Sequence, residues 1–117
     1  ARSAELNGYP GPRHVLDMAS ELQLNAKKMT SITAIFNDMN KQAVAIGQEI
    51  VDAESLLGQS FSDKTISEET LQEQLEHLTS LYSQLRQTHL QAHLAVTPLL
   101  NAEQLAHYQV LRGYTQN

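Results

Sequence analysis

Residues 26–57 read AKKMTSITAIFNDMNKQAVAIGQEIVDAESLL. Met29, Ile32, Phe36, Met39, Ala43, Ile46, Ile50, Ala53 and Leu57 follow one another at spacings of three and four residues without a slip, the signature of a helix with one apolar seam. At a rise of about 1.5 Å per residue this helix is about 48 Å long, and a rod of that length holds only when a partner covers its seam. The partner follows. Leu71, Leu75, Leu78, Tyr82, Leu85, His89, Ala92 and Val96 alternate in the same way. The intervening GQSFSDKTI (residues 58–66) is turn material, and Ser67 suits a helix N-cap. Two matched seams joined by a short turn predict an antiparallel helical hairpin.

Punctuation sets the ends. Asn25 is a good N-cap for the long helix, because its side-chain carbonyl can accept from unpaired amides of the first turn. Upstream, Pro12 opens a short helix over residues 13–22, and the breakers Asn7, Gly8, Pro10, Gly11 and Pro12 predict an irregular segment over residues 1–12. Downstream, Pro98 ends the second rod, Asn101 caps a short helix through Leu111, and Gly113 closes it. The expected fold is all-α: one domain over residues 13–114, four helices, a long hairpin with a short helix folded back at each end. The end helices are too short to cover both seams, so a homodimer is expected.

Composition bounds the function. The chain has 117 residues, 41% of them hydrophobic, and a net charge of -5, which argues against a nucleic-acid binder dependent on phosphate neutralisation. With no cysteine, the available metal ligands are His, Met, Asp and Glu. No run approaches the roughly 18 apolar residues of a membrane span. The chain begins with Ala1 rather than Met, so a mature or trimmed form is expected, its leader or membrane anchor removed. Charge is uneven: residues 49–76 carry eight acids and one base, Lys64, and the remainder carries five acids and seven bases. An acidic hairpin tip is usually a solvated end, and it could also repel its counterpart in a dimer or attract cationic partners.

Two segments are near copies: Leu24-Asn25-Ala26-Lys27-Lys28 and Leu100-Asn101-Ala102-Glu103-Gln104. Each sets a leucine and a capping residue at a helix start. The pair resembles the LTxxQ motifs of the periplasmic Spy/CpxP family, which includes ZraP-like zinc-resistance chaperones and CnrX-like heavy-metal sensors. The resemblance spans residues 12–114, with Asn25 and Asn101 in place of Thr and Lys28 in place of Gln. It implies an exported, periplasmic, dimeric stress protein, either an ATP-independent chaperone or a metal-responsive sensor.

Five histidines are present. His89 and His93 are four residues apart on the second rod, a spacing that suits two ligands of one ion, and His14 and Met18 repeat it on the first short helix. If the turn is centred near residue 62, His89 lies level with Phe36 and His93 with Ile32. Folding the first helix back about Leu24 brings His14 and Met18 to the same level. A metal site of His14, Met18, His89 and His93 is the expectation, with Zn, Ni, Co or Cu as the ion. The similarity to CnrX supports ligands drawn from i, i+4 pairs on the first and third helices. That sensor adds a glutamate from the second helix, where this chain offers Thr33, Asn37 and Asp38. The alternative is that His89 packs in the seam and Met18 fills a gap. His77 and His107 fall outside the site.

Enzymatic readings lack a foundation: there is no Gly-rich phosphate loop, no nucleophile elbow and no HExxH. The sequence therefore predicts a non-enzymatic stress or heavy-metal response protein binding a transition-metal ion. The alternatives are a metal-independent holdase for unfolded clients and a module that docks on a membrane sensor or anti-sigma protein. A basic client-binding surface, which the Spy likeness implies, is not matched by the charge.

Overall fold

A computed structural model of the chain describes residues 1–115, and among these every regular element is helical. The chain forms α1 (Arg2–Leu6), α2 (Pro12–Asp17), α3 (Ala26–Ser62), α4 (Glu68–Val96), a 3-10 turn (Thr97–Leu99) and α5 (Ala102–Leu111). The α3–α4 hairpin sets the long dimension of a molecule 58 × 28 × 18 Å in extent.

The capping chemistry is as expected. Asn25 Oδ1 accepts from the Lys28 amide at 2.8 Å. Ser67 and Thr70 form a reciprocal capping box at the start of α4. Asn101 and Gln104 form another at α5, where Asn101 Oδ1 accepts from the Gln104 amide at 2.8 Å. The two near-copied segments also meet. Gln104 Oε1 accepts from Lys28 Nζ at 2.8 Å, and Gln104 Nε2 donates to the Leu22 carbonyl at 3.0 Å. Lys28, the departure from the repeat, thus ties the two copies together.

The chain departs from expectation in four places. First, α3 continues through Gly58 to Ser62, so the intervening residues 63–67 are centred on Thr65 rather than near residue 62. One glycine costs a helix only about 1 kcal/mol, and the continued helix brings Ser60 to Gln74, whose Nε2 donates to Ser60 Oγ at 3.1 Å. The stop is a Schellman closure: the Lys64 amide donates to the Phe61 carbonyl and the Thr65 amide to the Ser60 carbonyl. Lys64 there takes φ 59, a left-handed conformation normally given to glycine.

Second, the short helix α2 stops at Asp17 instead of running to Leu22. The Met18 amide is shared between the His14 and Val15 carbonyls, and looser turns follow. They end in another Schellman closure at Gln23, φ 56, which drops Leu22 and Leu24 onto the core.

Third, residues 2–6 are helical and docked rather than irregular, making five α-helices among the described residues instead of four. Five residues are too few to display a period, yet ARSAEL is good helix material once tertiary contacts hold it. Glu5 is 6% exposed, and both its carboxylate oxygens lie 2.8 Å from the Tyr108 hydroxyl. Burial, with the Glu5 carboxylate next in weight, pushes the Tyr108 hydroxyl far above its usual titration range.

Fourth, α4 is rotated. Its inward stripe is Gln74, Leu78, Leu81, Leu85, Thr88 and Ala92, which itself alternates four and three, while Leu75 and Tyr82 are 45% and 50% exposed. Two helices in contact bury only a narrow seam, and α4 has leucines for two overlapping stripes. The α3 seam is as predicted, each of its positions being at least partly buried.

The main core is at the base of the hairpin, not along its shaft. Val15, Leu22, Ile32, Val96, Leu100 and Tyr108 pack together, with Leu24, Ile35 and Leu105 against them.

Candidate functional site

At this base, beside the core, the N-terminal segment, the hairpin and the end of α5 enclose a cavity of about 580 Å³. His14 enters it from α2, His89 and His93 from α4, and Phe36, Met39 and Asn40 from α3. The rotation of α4 accounts for His89. Leu75, Tyr82 and His89 are seven residues apart on one stripe, so the turn that exposes the first two directs the third to the flank, over the cavity.

His93 is held most firmly. It is 6% exposed, and its Nδ1 lies 2.7 Å from the Tyr9 carbonyl oxygen. A carbonyl only accepts, so Nδ1 carries the proton and, in the neutral ring, Nε2 keeps its lone pair. The ring lies against Gly11: a Cβ built there would fall 2.7 Å from Cε1 and 2.9 Å from Nε2 of His93. The breaker run Tyr9-Pro10-Gly11-Pro12 is thus the other half of the His93 seat. His14 is looser, its Nδ1 3.9 Å from Asp17 Oδ2. His89 is half-buried.

Three of the four expected ligands therefore line one cavity. Met18 does not. The break at Asp17 turns it to the core cluster beside Val15 and Leu22. The thioether at the cavity belongs to Met39, a residue of the α3 seam. Asp38, level with the site in sequence, lines a different groove with Ile35 and Ala95, and its Oδ2 accepts from Gln42 Nε2 at 2.8 Å. His77 and His107 are exposed and outside the cavity. Among the described residues no group of three or more His, Asp or Glu side chains is already drawn together as a ligand set.

The cavity also has a charge that the sequence reading missed. Arg2, Arg13 and Arg112 line it, against one carboxylate, Glu5. Arg112 donates from Nε and Nη2 to the Tyr114 hydroxyl at 3.3 and 3.1 Å, and that contact raises its pKa above the usual guanidinium value. Gly113, at φ 77, makes this pairing possible: it closes α5 and sends Tyr114 back under the helix. The net negative charge of the whole chain hides this basic end, because the acids of residues 49–76 are gathered at the hairpin tip.

No protein-family model, curated protein or solved structure matches the chain. No helix among the described residues is long and apolar enough to cross a membrane.

Proposed function

We propose that this chain is a non-enzymatic, periplasmic stress or heavy-metal response protein whose hairpin base binds a transition-metal ion. The donors are the imidazoles of His14, His89 and His93 with the thioether of Met39, a soft nitrogen and sulfur set suited to Zn, Ni, Co or Cu. The observation that carries the reading is the His93 to Tyr9 contact. An imidazole whose Nδ1–H is committed to a backbone carbonyl presents Nε2 in the tautomer a metal requires, and such outer contacts are the rule around ligating histidines. The likeness of the paired LNA segments to the LTxxQ motifs supports the periplasmic assignment.

The test is thermal unfolding with zinc or nickel. A ligand of the folded state raises the melting temperature by mass action, so each metal should raise it and His89→Ala should abolish the rise. Because His93 is also structural, His14→Ala is the second variant, expected to weaken the response without loss of fold. An identical melting curve with and without metals rejects the reading.

A second reading is favoured by a separate observation. Val44 and Val51 on α3 and Leu75 and Tyr82 on α4 are 45–65% exposed and recur at seven-residue spacing on their helices. Such stripes suit either a second hairpin in a homodimer or unfolded clients of a holdase. Holdase activity would suppress client aggregation without ATP and would survive metal removal. A module that docks on a membrane sensor would give neither result.

A further inference from the structure

The arginines are not explained by a metal ion, since three guanidinium groups beside a cation raise its cost. Among the described residues none of Arg2, Arg13 and Arg112 pairs with a carboxylate; the one contact of that kind is His14 Nδ1 to Asp17 Oδ2 at 3.9 Å. Glu5, the one acid in the lining among the described residues, has both oxygens turned to the buried Tyr108 hydroxyl. Among the described residues the lining therefore carries three guanidinium groups against one carboxylate, an excess of positive charge, beside the apolar side chains of Phe36 and Met39. Its volume lies within the range of small-molecule sites, about 300–1,000 Å³. Concave walls of one sign concentrate counter-charge, and a guanidinium fork matches the two oxygens of a carboxylate. Tyr114 holds the Nε and Nη2 edge of Arg112, so the donor left free of that contact is Nη1.

We infer that the basal cavity binds a small organic acid, its carboxylate held by Arg13 and Arg112 and its apolar part laid on Phe36 and Met39. The inference rests on the arginines and shares the cavity and Met39 with the metal proposal. Calorimetric titration of the full chain tests it, after metal removal on a resin-bound chelator, because a soluble polycarboxylate chelator would compete. The probes are benzoate, the neutral benzyl alcohol and inorganic phosphate. Benzoate is expected to bind one per chain and benzyl alcohol not at all. Arg13→Gln and Arg112→Gln should each weaken benzoate about tenfold, the loss of one charge-assisted hydrogen-bonded contact. If Arg112→Gln loses its helical circular dichroism, Arg13→Gln, on the exposed side of α2, carries the comparison. Equal binding of the alcohol, binding of phosphate alone, or unchanged affinity in the glutamine variants would each overturn the inference. Arg13→Gln separates the two proposals: it should weaken benzoate and leave the rise in melting temperature with zinc or nickel in place.

Discussion

The imidazole of His93 and the backbone carbonyl of Tyr9 meet at 2.7 Å across 84 residues of sequence. The contact fastens the N-terminal segment to the far end of α4 and fixes the tautomer of the most buried histidine. Two things make it possible: Gly11 has no side chain to occupy the ring's space, and Pro10 and Pro12 hold the segment in place.

Gly11→Ala is the direct probe. At φ -88 and ψ 158 an alanine backbone is unstrained, and loss of unfolded-state freedom alone would stabilise by about 0.4–1 kcal/mol. The clash with His93 outweighs this, because the ring is pinned on its other side. A net loss of about 1–3 kcal/mol is expected, read as a melting temperature lower by at least about 4 °C. The same variant should bind zinc or nickel more weakly.

Tyr108→Phe removes the one hydrogen-bond partner that both Glu5 oxygens have among the described residues, at an expected cost of about 2–3 kcal/mol by denaturant titration. The pH dependence has a definite sign. The folded-state pKa of Tyr108 is raised, so its contribution is complete below the unfolded value of about 10 and is lost as pH rises beyond it. Wild-type stability should therefore fall above that pH more steeply than stability of Tyr108→Phe.

Lys64 offers a stabilising change. A left-handed lysine at a Schellman closure costs about 1–2 kcal/mol that glycine avoids, partly offset by the greater unfolded freedom of glycine. Lys64→Gly should raise stability by about 0.5–1 kcal/mol, seen as a higher urea midpoint at unchanged slope. A lower midpoint would mean that the lysine side chain makes a stabilising contact at the tip.

If a second hairpin covers the exposed stripe, Leu75→Glu with Tyr82→Glu should convert a dimer to a monomer in sedimentation while leaving the helical circular dichroism intact. A wild-type chain that sediments as a monomer at micromolar concentration removes the dimer proposal outright.

The caps were legible because each is a local chemical event: Asn25, Ser67 and Asn101 offer short acceptors where a helix must begin, and Pro98 lacks the amide a helix would need. The rotation of α4 was not. Hydrophobicity favours Tyr82 over Leu81 no more than the reverse, and it favours neither Thr88 nor His89 at an inward position, so the packing of two rods decides. At the site, helical spacing and hairpin level brought His14, His89 and His93 to one end. Met18 lies at the core instead, because the break at Asp17 turns it there. Arg2, Arg13 and Arg112 are far apart in sequence, and the surplus of bases outside residues 49–76 was the one available trace of them.

The siting of the main core has a mechanical consequence. Val15, Ile32, Val96 and Tyr108 clamp one end of a rod pair whose far half is fastened by little beyond Ile50, Leu78 and Leu81. Amide protons near Gly58 and Leu71 should exchange with solvent while those near Ile32 and Val96 remain protected. The molecule is a closed loop gripped at its base, and the joined tip is the end that breathes.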